Sequence, residues 1–364
     1  TVLIQIADLI GVIGISLLVL LVNIAIYNLI KGRRICIVAV LLIFALWAGY
    51  GILKLKTMPL QETDAGIQVM QPSIPQDDKW DEEQYQMILQ RYRELTFTAA
   101  KDGARLMIWP EAAMPVYLIH DYVRLNDLYE IIESANIDVF TGFPDYSPAP
   151  ASHFDDMYYY NGATLFKPKQ PPGKIYHKNI LVPIGERMLW LEHFPFLAKL
   201  QFGQANWEFG KELHYYQSGE HTFSPSICYE TAFAEINHRM AFRDVKGRLV
   251  KSDYLVNITN DAWFGTSYGP WLHAMMMKFR AVENRIQVYR SANTGISMVI
   301  DPLGRVIARA DLFETKNIGA PLFRTPAVPL IRRINSYPWI FVALTLLLFA
   351  ASLTKKTKER KVRH

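Results

Sequence analysis

Two long apolar runs near the N-terminus constrain the fold more than any other feature of the chain. Residues 10–30 and residues 35–53 contain no charged side chain. As helices that rise about 1.5 Å per residue, both runs are long enough to cross the roughly 30 Å hydrocarbon core of a bilayer. A third, shorter run at residues 339–353 is soon followed by two lysines. We therefore expect three membrane-spanning helices, at residues 1–31, 35–55 and 336–354.

Positive charge is concentrated beside these runs. The formal net charge is +5, and residues 355–364 hold six Lys or Arg and one Glu, so the rest of the chain is balanced. A basic segment beside an apolar helix is typical of a cytoplasmic flank and not of a nucleic-acid-binding arm. The basic loop at residues 31–34 is expected to be cytoplasmic for the same reason. The two clusters predict that the domain at residues 60–325 lies on the outer, non-cytoplasmic face of a membrane and that residues 355–364 form a cytoplasmic tail.

The N-terminus and the cysteines add two expectations. The chain begins at Thr1 without a methionine, and it lacks the basic start and the cleavage site of a signal peptide. We interpret it as a fragment or a processed product that further membrane helices precede. Cys36 lies at the cytoplasmic end of a predicted span and Cys228 lies in the outer domain, so the two cannot pair. Cys228 is therefore expected to be a free thiol.

The outer domain has the pattern of an α/β layered fold. From residue 66 onward, short apolar segments alternate with polar amphipathic stretches. Strands are predicted at residues 66–70, 105–109, 138–142, 158–166, 222–228, 254–259, 287–292 and 296–301. Helices are predicted at residues 81–100, 122–134, 231–242 and 268–284.

Three residues with catalytic chemistry lie beside strands or apolar segments. Glu111 follows an apolar strand that Pro110 ends, and Lys178 precedes an apolar stretch. Cys228 ends a strand and begins a helix, where the helix dipole and a neighbouring cation favour a reactive thiolate. Each residue alone also has an ordinary structural interpretation: a cap or surface carboxylate, a solvated lysine and a buried inert thiol.

In combination, Glu, Lys and Cys in this chain order resemble the catalytic triad of the nitrilase superfamily. The longer motifs are more specific and are similar to those of apolipoprotein N-acyltransferases: Trp109-Pro110-Glu111, His177-Lys178 through Gly185-Glu186, Ile227-Cys228-Tyr229-Glu230, Asn260-Asp261-Ala262-Trp263-Phe264-Gly265 and Asn293-Thr294-Gly295-Ile296. This resemblance implies a nitrilase-type four-layer α-β-β-α sandwich flanked by transmembrane α-helices. It implies that the sandwich lies on the periplasmic face of a bacterial inner membrane. It also implies eight membrane helices in the whole protein, of which the runs here would be the last three.

The resemblance further implies a reaction and its residues. Cys228 would take an acyl chain from a membrane phospholipid as a thioester, with Glu111 carrying the proton. Lys178 and the N–H that follows Cys228 would stabilise the oxyanion, and Glu186 would hold Lys178. The acyl chain would then pass to the N-terminal amine of the diacylglyceryl-cysteine of an apolipoprotein.

Other positions match the family with less specificity. Trp80, Tyr229 and Glu230 match further active-site positions, although packing in the core or at a strand edge is a ready alternative. Asn260 presents a polar group near the thiol or forms a turn. The apolar segment after Glu186 predicts a mobile lid that dips into the membrane, with core packing as the alternative. Its most prominent side chains are Trp190, Phe194 and Phe196.

Two other functions are compatible with the same residues. A membrane-tethered nitrilase-type amidase would resolve the thioester with water, and a catalytically inactive membrane scaffold would keep only the fold. The sequence contains no HExxH, no CxxC and no glycine-rich phosphate loop. It therefore predicts no metal, no cofactor and no nucleic-acid partner.

Overall fold

The structure is a computed structural model that describes residues 1–79, 81–151, 153, 155–191, 193–194, 196–197, 206–333, 339–340, 342–343 and 345–347. The chain divides into two compact units. One consists of Thr1–Met58, Val282–Arg285 and the residues from Pro326 onward, and the other consists of Pro59–Ala281 and Ile286–Thr325.

Two apolar helices dominate the first unit. Helix α1 spans Ala7–Ile30 after a 3-10 turn at Leu3–Ile6, and helix α2 spans Ile35–Thr57. By length and composition, Leu3–Ile30 and Ile37–Thr57 could each cross a membrane. The predicted third span lies largely outside the described residues, and those of its residues that are described between 339 and 347 are helical.

A buried polar cluster lies at the beginning of helix α1. Nε and Nη2 of Arg285 donate to the Asp8 carboxylate at 2.9 and 2.8 Å, and its Nη1 donates to Gln5 Oε1 at 2.7 Å. The Tyr50 hydroxyl donates to the other Asp8 oxygen at 2.7 Å. Because buried charges are costly unless they are paired, these contacts stabilise Asp8 and Arg285 in the interior of this unit.

The second unit is built from strands and helices in the alternating order that the pattern predicts. Its strands are β1 (Gln61–Thr63), β2 (Ile67–Gln71), β3 (Leu106–Ile108), β4 (Asp138–Pro148), β5 (Met157–Phe166), β6 (Tyr176–His177), β7 (Tyr216–Ser218), β8 (His221–Ile227), β9 (Phe242–Val245), β10 (Arg248–Lys251), β11 (Tyr254–Thr259), β12 (Gln287–Ala292), β13 (Ser297–Ile300), β14 (Val306–Ala310), β15 (Lys316–Gly319) and β16 (Leu322–Arg324). Its helices are α3 (Gln76–Lys79), α4 (Tyr85–Lys101), α5 (Tyr122–Ala135), α6 (Ala234–Ala241) and α7 (Gly269–Asn284), the last three residues of which belong to the first unit.

Most of these strands form two six-stranded sheets. The first has the order β15-β2-β3-β4-β5-β6 and the second the order β14-β13-β12-β11-β8-β7. In each sheet three neighbouring strands are parallel: β2, β3 and β4 in the first, and β8, β11 and β12 in the second. The carboxyl ends of parallel strands lie at one edge of a sheet, which is where α/β folds place functional groups.

Alternation along β3 shows how the layers form. Leu106 and Ile108 pack in a core that also contains Ile227 and Ile258 of the second sheet. Met107, one position along and therefore on the opposite face, packs with side chains of α4 and α5. Helices α6 and α7 contribute apolar residues to the core of the second sheet. The four-layer α-β-β-α sandwich is confirmed.

The predicted elements of this domain are present, with shifted ends. The strand predicted at residues 138–142 is longer, since β4 continues to Pro148. The helix predicted at residues 231–242 begins only at Ala234, because residues Cys228–Ala232 form a 3-10 helix. Several short strands, such as β6 and β7, are too brief for a sequence pattern to indicate.

Candidate active site

Glu111 lies just beyond the carboxyl end of strand β3. Its side chain is almost fully buried, and both carboxylate oxygens accept hydrogen bonds. The side-chain amide of Asn161 donates to Oε1 at 2.7 Å, and the backbone N–H of Asn260 donates to Oε2 at 2.8 Å. Two donors from distant parts of the chain therefore fix the orientation of this carboxylate.

Lys178 follows strand β6 and is completely buried. Its ammonium lies 2.7 Å from Glu186 Oε1 and 3.7 Å from Glu111 Oε1. Burial alone would lower the pKa of Lys178, but its electrostatic coupling to the ionisable groups of Cys228, Glu111 and Glu186 outweighs burial and raises it well above its usual value. The ammonium thus stays charged between two carboxylates.

Glu186 is held in the turn that follows Lys178. Its Oε2 accepts a hydrogen bond from the Val182 N–H at 2.8 Å, while its Oε1 accepts the bond from Lys178. The contact between Lys178 and Glu186 therefore joins two residues eight positions apart. The predicted pairing of these residues is present in the geometry.

Cys228 begins a 3-10 helix directly after strand β8. Its φ angle of 49° lies in the left-handed region, which is uncommon for a residue other than glycine. Residues in such conformations persist where their surroundings hold them, and they cluster at functional sites. The chain turns sharply at the end of the strand and leaves the cysteine partly exposed.

The pKa of Cys228 differs from the sequence-based expectation. Burial raises it, the negative charges of Glu111, Asp261 and Glu186 raise it further, and only Lys178 lowers it. The resting group is therefore a thiol and not the thiolate that the start of a helix and a neighbouring cation were expected to favour. A base must remove its proton before it can attack a carbonyl carbon.

Glu230 connects the turn of Cys228 to the segment of Lys178. Its buried carboxylate accepts hydrogen bonds from the Ile227 N–H at 2.7 Å, the Tyr176 hydroxyl at 2.7 Å and the Asn179 N–H at 2.6 Å. Burial raises the pKa of Glu230 to about 7, although these hydrogen bonds oppose the shift. Because Ile227 precedes Cys228 and Asn179 follows Lys178, the hydrogen bonds of Glu230 help to fix the positions of both residues.

Asn161 and Lys79 complete the cluster, and neither is among the predicted site residues. Asn161 lies on β5, and its backbone oxygen accepts a hydrogen bond from the Lys178 N–H at 2.9 Å. Lys79 is buried and donates to the backbone oxygen of Glu111 at 3.0 Å. Burial lowers the pKa of Lys79 to about 8, against the opposing charge of Glu111. The one available signal for Asn161 was a polar residue within a strand, which also has ordinary explanations.

The remaining predicted residues have mixed outcomes. Trp80 lies outside the described residues. Tyr229 is half-buried, with its ring centroid 5.0 Å from that of Phe233. Asn260 contacts Glu111 through its backbone N–H, while its side-chain amide donates to Gln76. Its side chain thus contacts the beginning of helix α3.

The segment after Glu186 exposes large apolar side chains. Trp190, Phe194 and Phe196 are 69%, 51% and 62% exposed, so these three do not pack in the core. Trp190 also lines a cavity of about 360 Å³, together with mostly apolar residues that include Met188 and Leu189. An exposed apolar surface therefore begins close to the Glu186 turn. Within the described part of the chain, no group of three or more His, Cys, Asp or Glu is arranged to hold a metal ion.

Comparison with known proteins identifies the family. The model of the carbon-nitrogen hydrolase family matches residues 66–322, a segment that contains Glu111, Lys178 and Cys228. The chain belongs to the carbon-nitrogen hydrolase family. Two solved structures with the same fold are a mutant of the Nesterenkonia AN1 amidase from the nitrilase superfamily and the Saccharomyces cerevisiae Nit3 protein. The match to the amidase has a TM-score of 0.52 at 17% sequence identity and covers 77% of this chain and 97% of the amidase chain. The match to Nit3 has a TM-score of 0.51 at 19% sequence identity and covers 74% of this chain and 93% of the Nit3 chain.

Curated proteins similar to this chain include apolipoprotein N-acyltransferases. The Chlorobaculum tepidum protein is 31% identical over 362 residues, a match that covers 92% of this chain and 66% of that protein. The Rickettsia prowazekii protein is 32% identical over 322 residues, which cover 87% of this chain and 62% of that protein. The chain therefore spans slightly less than two thirds of the length of these relatives. The resemblance that the motifs predict is confirmed.

Proposed function

We propose that this carbon-nitrogen hydrolase family member is an N-acyltransferase of lipoprotein maturation. It transfers an acyl chain from a membrane phospholipid, through a thioester on Cys228, to the N-terminal amine of diacylglyceryl-cysteine in an apolipoprotein. The observation that carries the proposal is the buried ammonium of Lys178 between the carboxylates of Glu111 and Glu186. The charges of these same three residues shift the pKa of the Cys228 thiol. The similarity to apolipoprotein N-acyltransferases supplies the substrates.

The first half-reaction begins with proton removal from the thiol. Because the pKa of Cys228 is raised, the thiol is protonated and needs a base before it can react. Glu111 takes the thiol proton as the sulfur attacks the ester carbonyl of the phospholipid. The carbonyl oxygen becomes an oxyanion, which the Lys178 ammonium and the N–H of Tyr229 stabilise. When the tetrahedral intermediate collapses, the ester C–O bond breaks and Glu111 returns the proton to the leaving alcohol.

The second half-reaction reverses these roles. The α-amine of the lipoprotein attacks the thioester carbonyl, the C–S bond breaks, and an amide forms. A proton from the amine returns to the sulfur, with Glu111 as the carrier, so the thiol is regenerated. Glu186 holds Lys178 in place through both halves.

The apolar features fit lipid substrates. Trp190, Phe194 and Phe196 form the lid, which we define by these three residues, and their exposure suits contact with acyl chains or with the bilayer interface. Helices α1 and α2 are long and apolar enough to anchor the chain in a membrane. With the basic loop and tail in the cytoplasm, the catalytic domain of residues 60–325 lies on the periplasmic face of the inner membrane.

The test uses the full chain in phospholipid vesicles whose acyl chains carry an isotope label. After incubation, mass spectrometry of Cys228 is expected to show one added acyl chain, which a diacylglyceryl peptide then removes as its own N-acyl group. Cys228→Ala abolishes both products, whereas Cys36→Ala, the other cysteine of the chain, leaves them unchanged. Labelled free fatty acid as the main product in the presence of the peptide would instead identify a hydrolase and overturn the proposal.

A further inference from the structure

A buried histidine contacts the backbone of the nucleophile. His273, on helix α7, has its Nε2 3.0 Å from the carbonyl oxygen of Cys228. A carbonyl oxygen only accepts hydrogen bonds, so Nε2 carries the proton and donates it. No motif in the sequence had assigned a role to this residue.

Asp261 and Arg290 hold the histidine ring in place. His273 Nδ1 lies 2.8 Å from Asp261 Oδ1, and the other oxygen of Asp261 accepts a hydrogen bond from Arg290 Nη2 at 2.7 Å. Arg290 Nη2 also lies 3.2 Å from His273 Nδ1. The guanidinium keeps the pKa of Asp261 at about 2 despite its burial, so this carboxylate is charged.

The same network reaches the strand that presents Cys228. Arg290 Nη1 donates to Asn257 Oδ1, and the Asn257 amide donates to the backbone oxygen of Ser226 at 3.2 Å. A Cβ on Gly295 would lie 2.4 Å from Asp261 Oδ2, so a glycine is required there for the carboxylate to fit. This accounts for the glycine of the Asn-Thr-Gly-Ile motif.

The geometry of the peptide bond links the His273 contact to the direction of the Tyr229 N–H. The peptide between Cys228 and Tyr229 is planar and trans, so its C=O and its N–H point in opposite directions. A hydrogen bond that fixes the Cys228 oxygen on one side therefore fixes the direction of the Tyr229 N–H on the other. That N–H is the backbone donor of the proposed oxyanion site.

We infer that His273 is a positioning residue that aims the Tyr229 N–H at the oxyanion by anchoring the Cys228 carbonyl oxygen. The inference rests on the proposed thioester chemistry, and it adds His273, with Asp261 behind it, to the residues on which acylation depends. His273 contacts the backbone and not the reacting atoms, so it is not itself a catalytic residue. Its loss misaligns one oxyanion donor and leaves the thiol and Glu111 in place.

The test compares two reactions of the same thiol in the full chain. Acylation of Cys228 by a p-nitrophenyl ester develops an oxyanion, whereas alkylation by iodoacetamide does not. His273→Phe is expected to slow acylation roughly 10- to 100-fold, less than the roughly 100- to 1,000-fold cost of removing an oxyanion donor, because the Tyr229 N–H is misaligned and not lost. Alkylation should change less than about threefold. His273→Gln, whose amide N–H can donate to the same oxygen, is expected to recover most of the acylation rate.

A matched control is Met276→Leu, a change at an exposed residue of the same helix, which should alter neither rate. An equal loss of acylation and alkylation in His273→Phe, or no loss of either, would overturn the inference. Failure of the proposed function would give a different result from failure of this inference. The unaltered chain would then accept p-nitrophenyl esters yet transfer nothing from phospholipid to a diacylglyceryl peptide.

Discussion

The side-chain amide of Asn161 donates a 2.7 Å hydrogen bond to the carboxylate of Glu111. The two residues are 50 positions apart, and the bond fixes the carboxylate close to the Lys178 ammonium. The backbone oxygen of Asn161 also accepts a hydrogen bond from the Lys178 N–H. One strand residue thus positions both the proposed proton carrier and the proposed oxyanion donor.

Asn161→Ala is expected to lower the rate of Cys228 acylation. A hydrogen bond to a charged group contributes about 1.5–3 kcal/mol, so the rate should fall roughly 10- to 100-fold as the carboxylate becomes free to reorient. Single-turnover acylation measures the effect. The control is Asn126→Ala, at an exposed asparagine of helix α5. If both variants acylate at the rate of the unaltered chain, Asn161 does not position Glu111.

Glu111→Gln is expected to move two reactions of Cys228 in opposite directions. The negative charge of Glu111 helps to raise the pKa of the thiol, so its removal lowers that pKa and increases the thiolate fraction about tenfold per pKa unit. Iodoacetamide alkylation at pH 8 should therefore become faster. Acyl transfer should become roughly 100-fold slower or more, because the proton carrier is lost. Slower alkylation would show that the Glu111 charge does not hold the proton on the thiol. The control is Glu94→Gln, at an exposed glutamate, which should change neither reaction.

Glu230 is expected to make the stability of the domain depend on pH between about 4.5 and 7. Its pKa is raised from 4.5 to about 7 in the folded chain. In this interval the unfolded chain releases a proton that the folded chain retains, so the free energy of unfolding falls as pH rises, by about 3 kcal/mol in all. Below pH 4.5 the stabilisation is fully present.

Thermal unfolding in detergent between pH 4.5 and 7 measures this dependence. Glu230→Gln cannot titrate, so its curve should lack this downward slope even though its stability is lower throughout. Glu235→Gln, at an exposed glutamate of helix α6, should keep the slope of the unaltered chain. Parallel curves for Glu230→Gln and the unaltered chain would refute the assignment.

Trp190→Ala is expected to impair reaction with membrane lipid selectively. An exposed tryptophan in the lid can bury its ring at the bilayer interface. Its removal should raise the KM for phospholipid in vesicles roughly 10- to 100-fold, from the loss of roughly 1.5–3 kcal/mol of apolar burial. Acylation by a soluble p-nitrophenyl ester should not change. Tyr122→Ala, at another strongly exposed aromatic residue, is the control. An equal effect on both donors would mean that Trp190 supports the active site and not lipid contact.

Local patterns in the sequence determined the elements and the family. The short apolar segments that predict β11 and β12 are recognised from neighbouring residues alone, and both strands have the predicted bounds. The motifs around Glu111, Lys178 and Cys228 are likewise continuous stretches. The roles of these residues stay proposals, but their proximity could be expected from a short set of motifs.

Only the tertiary structure decided how those residues are held and charged. Asn161 and Asn260 reach Glu111 across 50 and 149 positions, and His273 reaches Cys228 across 45. The raised pKa of the Cys228 thiol results from burial and from carboxylates that the fold brings near it. Electrostatic effects and hydrogen bonds depend on distance in space, which residue order along the chain does not specify.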